Sequence, residues 1–328
     1  MELTIFIIFL ALLFDFLNGM NDAANSIATV VSTRVLSPRY AVLWAAFFNF
    51  AAAFFFGVHV ATVIGKGIVD PAVITHQMIL AALVGAIVWT HLCTKYGMPI
   101  SVSHSLIGGL VGAGIAKAGV GALVMSGISK VLLFIVLSPL IGLILGLSAM
   151  IIVHWTFFRS SPQKIDKTFR IGQLISSAAF SLGHGTNDAQ KTMGIIAIVL
   201  YTGGYLGTEF YIPYWVIIAA HTAIGLGTLA GGWRVIHTMG MKLTHLKPVG
   251  GFCAETASAG VLVGTALAGI PVSTTHTIAG AIMGVGAVNR LSAVRWGIAG
   301  KIIMAWILTI PVSALVGAAT YYIVRWFI

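Results

Sequence analysis

Acidic residues are nearly missing from this chain: eight Asp and Glu in 328 residues, with all charged types together at 8%. So few charges could not keep a soluble protein of this length dispersed, which excludes the ordinary water-soluble globular class. Cysteine is scarcer still. Cys93 and Cys253, each next to an apolar residue, give neither a disulfide framework nor metal-ligand spacing, and read as small packing residues. Ten-residue runs of alternating apolar and polar residues are lacking, so a membrane β-barrel is excluded. The opening Met1-Glu2-Leu3-Thr4 lacks the basic region of a signal peptide, and the apolar run behind it is kept as a first membrane span. Bases outnumber acids for a net charge of +10, yet they do not gather on an amphipathic face. They sit in the short gaps between apolar runs, which points to membrane topology and not to nucleic acid.

What is present is apolar sequence: 59% of residues, with a mean hydropathy of +1.02. Segments of about 20 apolar residues recur along the whole chain, which predicts an all-α polytopic membrane protein. The segments are expected at about 3–33, 40–65, 73–93, 98–117 and 120–157, then 170–200, 212–240, 249–268, 270–289 and 293–327. The last segment of each set is long enough to hide a short extra helix. A hydrophilic stretch, 159–169, divides the chain into an N-terminal repeat (1–158) and a C-terminal repeat (170–328) and is expected to be a short cytoplasmic connector.

If each segment crosses once, the loops on one side collect twelve Lys and Arg, from Arg34 to Arg295. The other side has only Lys66, Lys117 and Arg325. The positive-inside rule then places both termini outside. Five crossings is an odd number, so the second repeat enters from the opposite side and the two are inverted repeats.

One motif occurs in both halves. Gly19-Met20-Asn21-Asp22-Ala23 returns as Gly185-Thr186-Asn187-Asp188-Ala189, an offset of 166. An acid at the centre of a membrane helix costs about 2.5–3.5 kcal/mol on insertion scales, so a matched pair of them marks a ligand site. Asn21 and Asn25, and Asp22 and Ser26, share helix faces four residues apart. Gly19 is expected to loosen the helix there, giving a broken or re-entrant element at a central site. A second repeat, offset by 172, matches Pro99-Ile100-Ser101-Val102-Ser103-His104-Ser105 to Pro271-Val272-Ser273-Thr274-Thr275-His276-Thr277. Hydroxyls on its alternate residues line one side of an extended chain, and glycines follow at Gly108, Gly112, Gly280 and Gly284, spaced for close helix contact. His104 and His276 have no second histidine at ligand spacing and read better as structural. Glu255 aligns with Leu83, so it is either one added cation or proton site or an acid paired with a base such as Lys191. Asp15, aligned with Ser181, is the weaker candidate.

The candidate site combines acids with amides, hydroxyls and a lysine. Hydroxyl and amide donors suit an oxyanion, whereas bare carboxylates repel it. A small hard cation at Asp22 and Asp188 resolves the conflict, which gives cation-coupled transport of an oxyanion without choosing among oxyanions.

The stretches GMNDAANSIAT, GTNDAQKTMG, PISVSHS and PVSTTHT resemble the signatures of the inorganic phosphate transporter (PiT) family, in the right order and over nearly the whole chain. The resemblance implies a sodium- or proton-coupled phosphate symporter, with sodium favoured as co-substrate, no cofactor, a homodimer, and the plasma or inner membrane as location. By position it implies that Asp22 and Asp188 hold cations beside Asn21 and Asn187. It further implies that Asn25, Ser103, Ser105, Gln190, Thr192, Thr275 and Thr277 face phosphate. Glu255 falls in a matching GFxxExASA stretch and joins the cation set. Some relatives carry an acid where this chain has Asn49, which puts any added cation site there in doubt. The competing readings are a sulfate or other oxyanion permease of the same fold, a proton-coupled symporter and a cation channel. An intramembrane hydrolase fits poorly, because the adjacent His104 and Ser105 point about 100° apart on a helix.

Overall fold

The computed structural model describes residues 1–55, 57–61 and 67–327. Among them no β-strand forms. The apolar segments become helices α1 (Glu2–Ser32), α2 (Pro38–Ala51), α3 (His76–Tyr96), α4 (Val102–Ala118) and α5 (Met125–Phe157), then α6 (Pro162–Thr202), α7 (Tyr214–Ala230), α8 (Trp233–His237), α9 (Pro248–Leu267), α10 (Thr274–Asn289) and α11 (Trp296–Phe327). Five of these, α1, α3, α5, α9 and α11, are individually long and apolar enough to cross a membrane.

The remaining segments depart from simple spans for local reasons. The segment expected at 40–65 does not run as one helix: α2 stops at Ala51 and a single 3₁₀ turn, Ala52–Phe54, follows. Phe56 and residues 62–66, which include the end of that segment and Lys66, lie outside the described residues. The segment at 212–240 bends by 65° between α7 and the short α8 with its π-helical continuation, Thr238–Lys242. Gly231 and Gly232 stand at the break, and Gly231 takes the left-handed φ of +67° that glycine adopts without strain. No extra helix hides in the fifth segments, since α5 and α11 are continuous over 33 and 32 residues behind one 3₁₀ turn each. Residues 162–169 of the hydrophilic stretch are helical, forming the start of the 41-residue α6. Pro162 at the first helical position and the Ser161 side chain, accepting from Lys164 N–H, start it. Arg170 then pairs with Asp166 at 2.8 Å one turn on.

Two helices are enclosed by the rest. Residues 21–30 of α1 and 183–200 of α6 are buried on every face, and the two pack against each other. Around them the halves interlock reciprocally. α1 packs on α7 while α6 packs on α2, and α4 packs on α11 while α10 packs on α5. Lipid tails are as apolar as leucine, so such contacts rely on close packing between small residues and not on water exclusion. The sequence supplies those seats in matched pairs. A Cβ at Gly19 would overlap the Ile224 carbonyl of α7, and one at Gly185 would come 2.5 Å from the Asn49 carbonyl of α2. Gly112 lies against Ala314 of α11 in the same way, and Gly284 against Leu143 of α5. Gly284→Ala is therefore expected to cost about 1–3 kcal/mol by overpacking. A lower melting temperature in detergent checks it, and an unchanged one would show that the α5–α10 contact yields freely.

Candidate functional site

The duplicated motifs meet where α1, α6 and the first turns of α4 and α10 converge. Neither motif breaks its helix. α1 and α6 run straight through Gly19 and Gly185, whose missing side chains serve the close contacts just described. The discontinuity lies instead at the starts of the short helices α4 and α10, 17 and 16 residues long. Ser101 caps α4 by accepting from His104 N–H at 3.3 Å, and Ser273 caps α10 by accepting from His276 N–H at 3.2 Å. Further first-turn amides have no intrahelical acceptor, which makes each start a position for negative charge.

Two carboxylates reach the start of α10. Thr274 Oγ1 lies 3.1 Å from Asp188 Oδ2 and 3.4 Å from Asp22 Oδ2, so one hydroxyl is shared between them. Thr275 Oγ1 donates to Asp22 Oδ1 at 3.3 Å and accepts from the Asn25 amide at 2.9 Å. Lys191 binds Asp188 Oδ1 at 2.5 Å, the carbonyl of Val272 at 3.1 Å and the hydroxyl of Ser103. His184 completes the centre, with Nε2 at 3.2 Å from Asp188 Oδ2 and 3.7 Å from Asp22 Oδ2. Ligand atoms of Asp22, His184 and Asp188 lie within 4.8 Å of one another, a spacing at which the three could hold one cation.

The orientation of His184 follows from a chain of hydrogen bonds. Thr228 spends its hydroxyl proton on Ile224 O at 2.9 Å, so it accepts from Asn49 Nδ2 at 3.0 Å. Asn49 then turns its carbonyl oxygen to His184 Nδ1 at 3.0 Å. An amide oxygen only accepts, so Nδ1 carries a proton and Nε2 is the atom aimed at the carboxylates. Asn49 thus positions the imidazole.

The other expected site residues are distributed as follows. Asn21 donates its amide to Thr94 Oγ1 at 2.7 Å, and Asn187 donates to the carbonyls of Gly183 and Leu262 at 2.9 and 2.8 Å. Each Asn Oδ1 is left buried without a partner among the described residues, an oriented carbonyl oxygen of the kind a hard cation takes. Ser105 is buried on α4, with its hydroxyl unpartnered among the described residues. Thr277 bonds back to Ser273 O at 2.9 Å. Thr192 lies buried beside Asp15. Gln190 points away, with Oε1 accepting from Val60 and Ala61 N–H at 2.8 and 3.2 Å and Nε2 donating to Gly57 O at 2.7 Å.

Glu255 is buried in a separate pocket of α9 and does not meet Lys191. Thr29 and Ser176 each donate to it at 2.5 Å, and Gln173 Nε2 donates at 3.2 Å. Thr29 stands seven residues beyond Asp22 on α1, about 10 Å along the helix. The two matched histidines are structural neighbours, with ring centroids 4.9 Å apart. His276 also stacks on Trp306 at 3.8 Å and donates from Nδ1 to Ile135 O at 3.3 Å. That carbonyl lacks its helical donor because residue 139 is proline.

His184 and Thr274 escaped the reading of repeats because neither has a like residue in the other copy. The offsets pair His184 with Asn18 and Thr274 with Val102. The signals were a polar residue immediately before the second Asn-Asp motif, for His184, and one unmatched hydroxyl inside the second Pro-to-Thr stretch, for Thr274.

Enclosed polar helices, lipid-compatible outer helices and a buried centre of acids, hydroxyls and one lysine define a multi-pass membrane protein built around a polar ligand site. Comparison with known proteins narrows this. The phosphate transporter family matches the chain twice, over residues 18–163 and 158–317. A probable low-affinity inorganic phosphate transporter of Rhizobium meliloti (strain 1021) is 58% identical over 96% of this chain and 95% of its own length. A protein of the same description from Bacillus subtilis (strain 168) is 45% identical over 98% and 97%. A solved structure described as the sodium-dependent phosphate transporter superposes with a TM-score of 0.91 at 26% identity, covering all of both chains. The chain belongs to the phosphate transporter family. These relatives are transporters, and the chain is not an enzyme.

Proposed function

We propose that this protein is a secondary active transporter that couples inward movement of a cation, with sodium favoured, to uptake of inorganic phosphate. The observation that carries this reading is the convergence of Asp22 and Asp188, from the two motif copies, on Thr274 at the start of α10. The names of the relatives and of the structural neighbour supply phosphate and sodium.

Two buried carboxylates beside a helix start repel an anion until positive charge offsets them. A sodium ion at Asp22, with the free Oδ1 of Asn21 or Asn187 as neutral ligands, removes that repulsion. Phosphate then accepts from the starts of α4 and α10 and from nearby hydroxyls, Ser105 among them. The N-terminal repeat (1–158) and the C-terminal repeat (170–328), joined through 159–169, are read as inverted copies that rock about the site and expose it alternately. The reciprocal seating of α4 on α11 and α10 on α5 supports that relation. A homodimer in the plasma or inner membrane, with both termini outside, completes the reading.

The test is radiolabelled phosphate uptake by the purified protein in proteoliposomes, at equal pH on both sides. An inward sodium gradient should drive accumulation above the external concentration, choline in place of sodium should abolish it, and excess sulfate should leave it intact. Uptake indifferent to sodium but driven by a pH gradient would overturn the sodium assignment. Competition by sulfate would overturn the choice of phosphate.

A further inference from the structure

We propose that Lys191 is a tethered cation, filling in the second motif copy the place that the first copy leaves to an imported one, so that one sodium ion and not two accompanies each phosphate. This rests on the cation-coupled reading above. The offset of 166 aligns Lys191 with Asn25, and the offset of 172 aligns Ser103 with Thr275. The contacts obey the same correspondence, because Asn25 donates to Thr275 in one half and Lys191 to Ser103 in the other. Equivalent positions thus bind equivalent hydroxyls, and what differs is a charge.

The surroundings of that charge are those of a small hard cation: one carboxylate oxygen (Asp188 Oδ1), one hydroxyl (Ser103) and one backbone carbonyl (Val272). The ammonium has three donors and all three are spent there. None is left for phosphate, which separates this role from anion binding. Lys191 is 2% exposed, so bulk water does not screen it, and a second cation at Asp188 Oδ1 would meet a like charge in direct contact. The first copy lacks any such residue. Asp22 faces two threonine hydroxyls and His184, and Asn25 brings no charge. The requirement for a mobile cation therefore falls on Asp22.

The experiment counts sodium bound to purified full-length protein, by equilibrium binding of radioactive sodium with phosphate present, in wild type and in Lys191→Asn, which installs the residue of the first copy. One ion in wild type and two in Lys191→Asn is the expected result, accompanied by one additional positive charge moved per phosphate in current recordings from proteoliposomes. Two ions in wild type, or an unchanged count in the variant, would overturn the inference while leaving sodium coupling intact. No sodium binding to wild type would sink both the inference and the coupling it rests on. If Lys191→Asn fails to fold, the wild-type count decides between one ion and two, and Lys191→Arg should retain the wild-type count.

Discussion

Asp22→Asn is expected to abolish sodium-stimulated phosphate uptake while leaving the protein folded. The substitution is nearly isosteric, and its carbonyl oxygen can still accept from Thr274 or Thr275. What vanishes is the negative charge, and no fixed ammonium stands beside it as Lys191 stands beside Asp188. Sodium then loses its only charged ligand in the first motif copy. Interactions with a charged group are worth about 1.5–3 kcal/mol even after solvent exchange. A drop of about ten- to a hundredfold in uptake at limiting sodium, the equivalent of that range, follows. The measurement is initial uptake against sodium concentration in proteoliposomes, with melting temperature in detergent as the control for folding. Uptake within a few-fold of wild type would end the argument for a cation at Asp22.

Asp188→Asn should behave differently, and the contrast tests the site's asymmetry. Here the charge removed is the partner of a buried lysine. Taking one member from a buried ion pair typically costs about 3–5 kcal/mol, because the survivor stays desolvated and unpaired. The variant should therefore express poorly and melt well below wild type, and added sodium should not rescue it. Asp188→Asn combined with Lys191→Met removes the stranded charge and should restore the folded protein without restoring uptake. A stable Asp188→Asn single variant would show that the Lys191 pair is not a structural necessity.

Both expectations turn on features of unequal visibility in the chain. The helices at 3–33, 73–93 and 120–157 are readable because each holds a strongly apolar stretch long enough to span a bilayer. α6 is harder, since its buried middle is a string of Asn, Asp, Gln, Lys and Thr that no hydropathy measure marks as membrane-buried. Shielding by the surrounding helices makes that composition tolerable, and shielding is a property of packing. The break expected at Gly19 failed for a related reason. Glycine weakens a helix only where nothing holds it, and here the α7 backbone packs directly on that face. Gln190 likewise looked available for phosphate, yet its amide serves the backbone at 57–61.

By itself the sequence determined the membrane class, the duplication, the two aspartates and the hydroxyl rows, because each is written as composition or as a repeat at constant offset. Only the tertiary structure decided that Thr274 bridges the aspartates, that Asn49 aims His184, that Glu255 sits apart, and that Lys191 belongs to Asp188. Those assignments depend on angles and distances between helices far apart in the chain. A repeat shows which residues correspond, whereas the fold decides which of them touch.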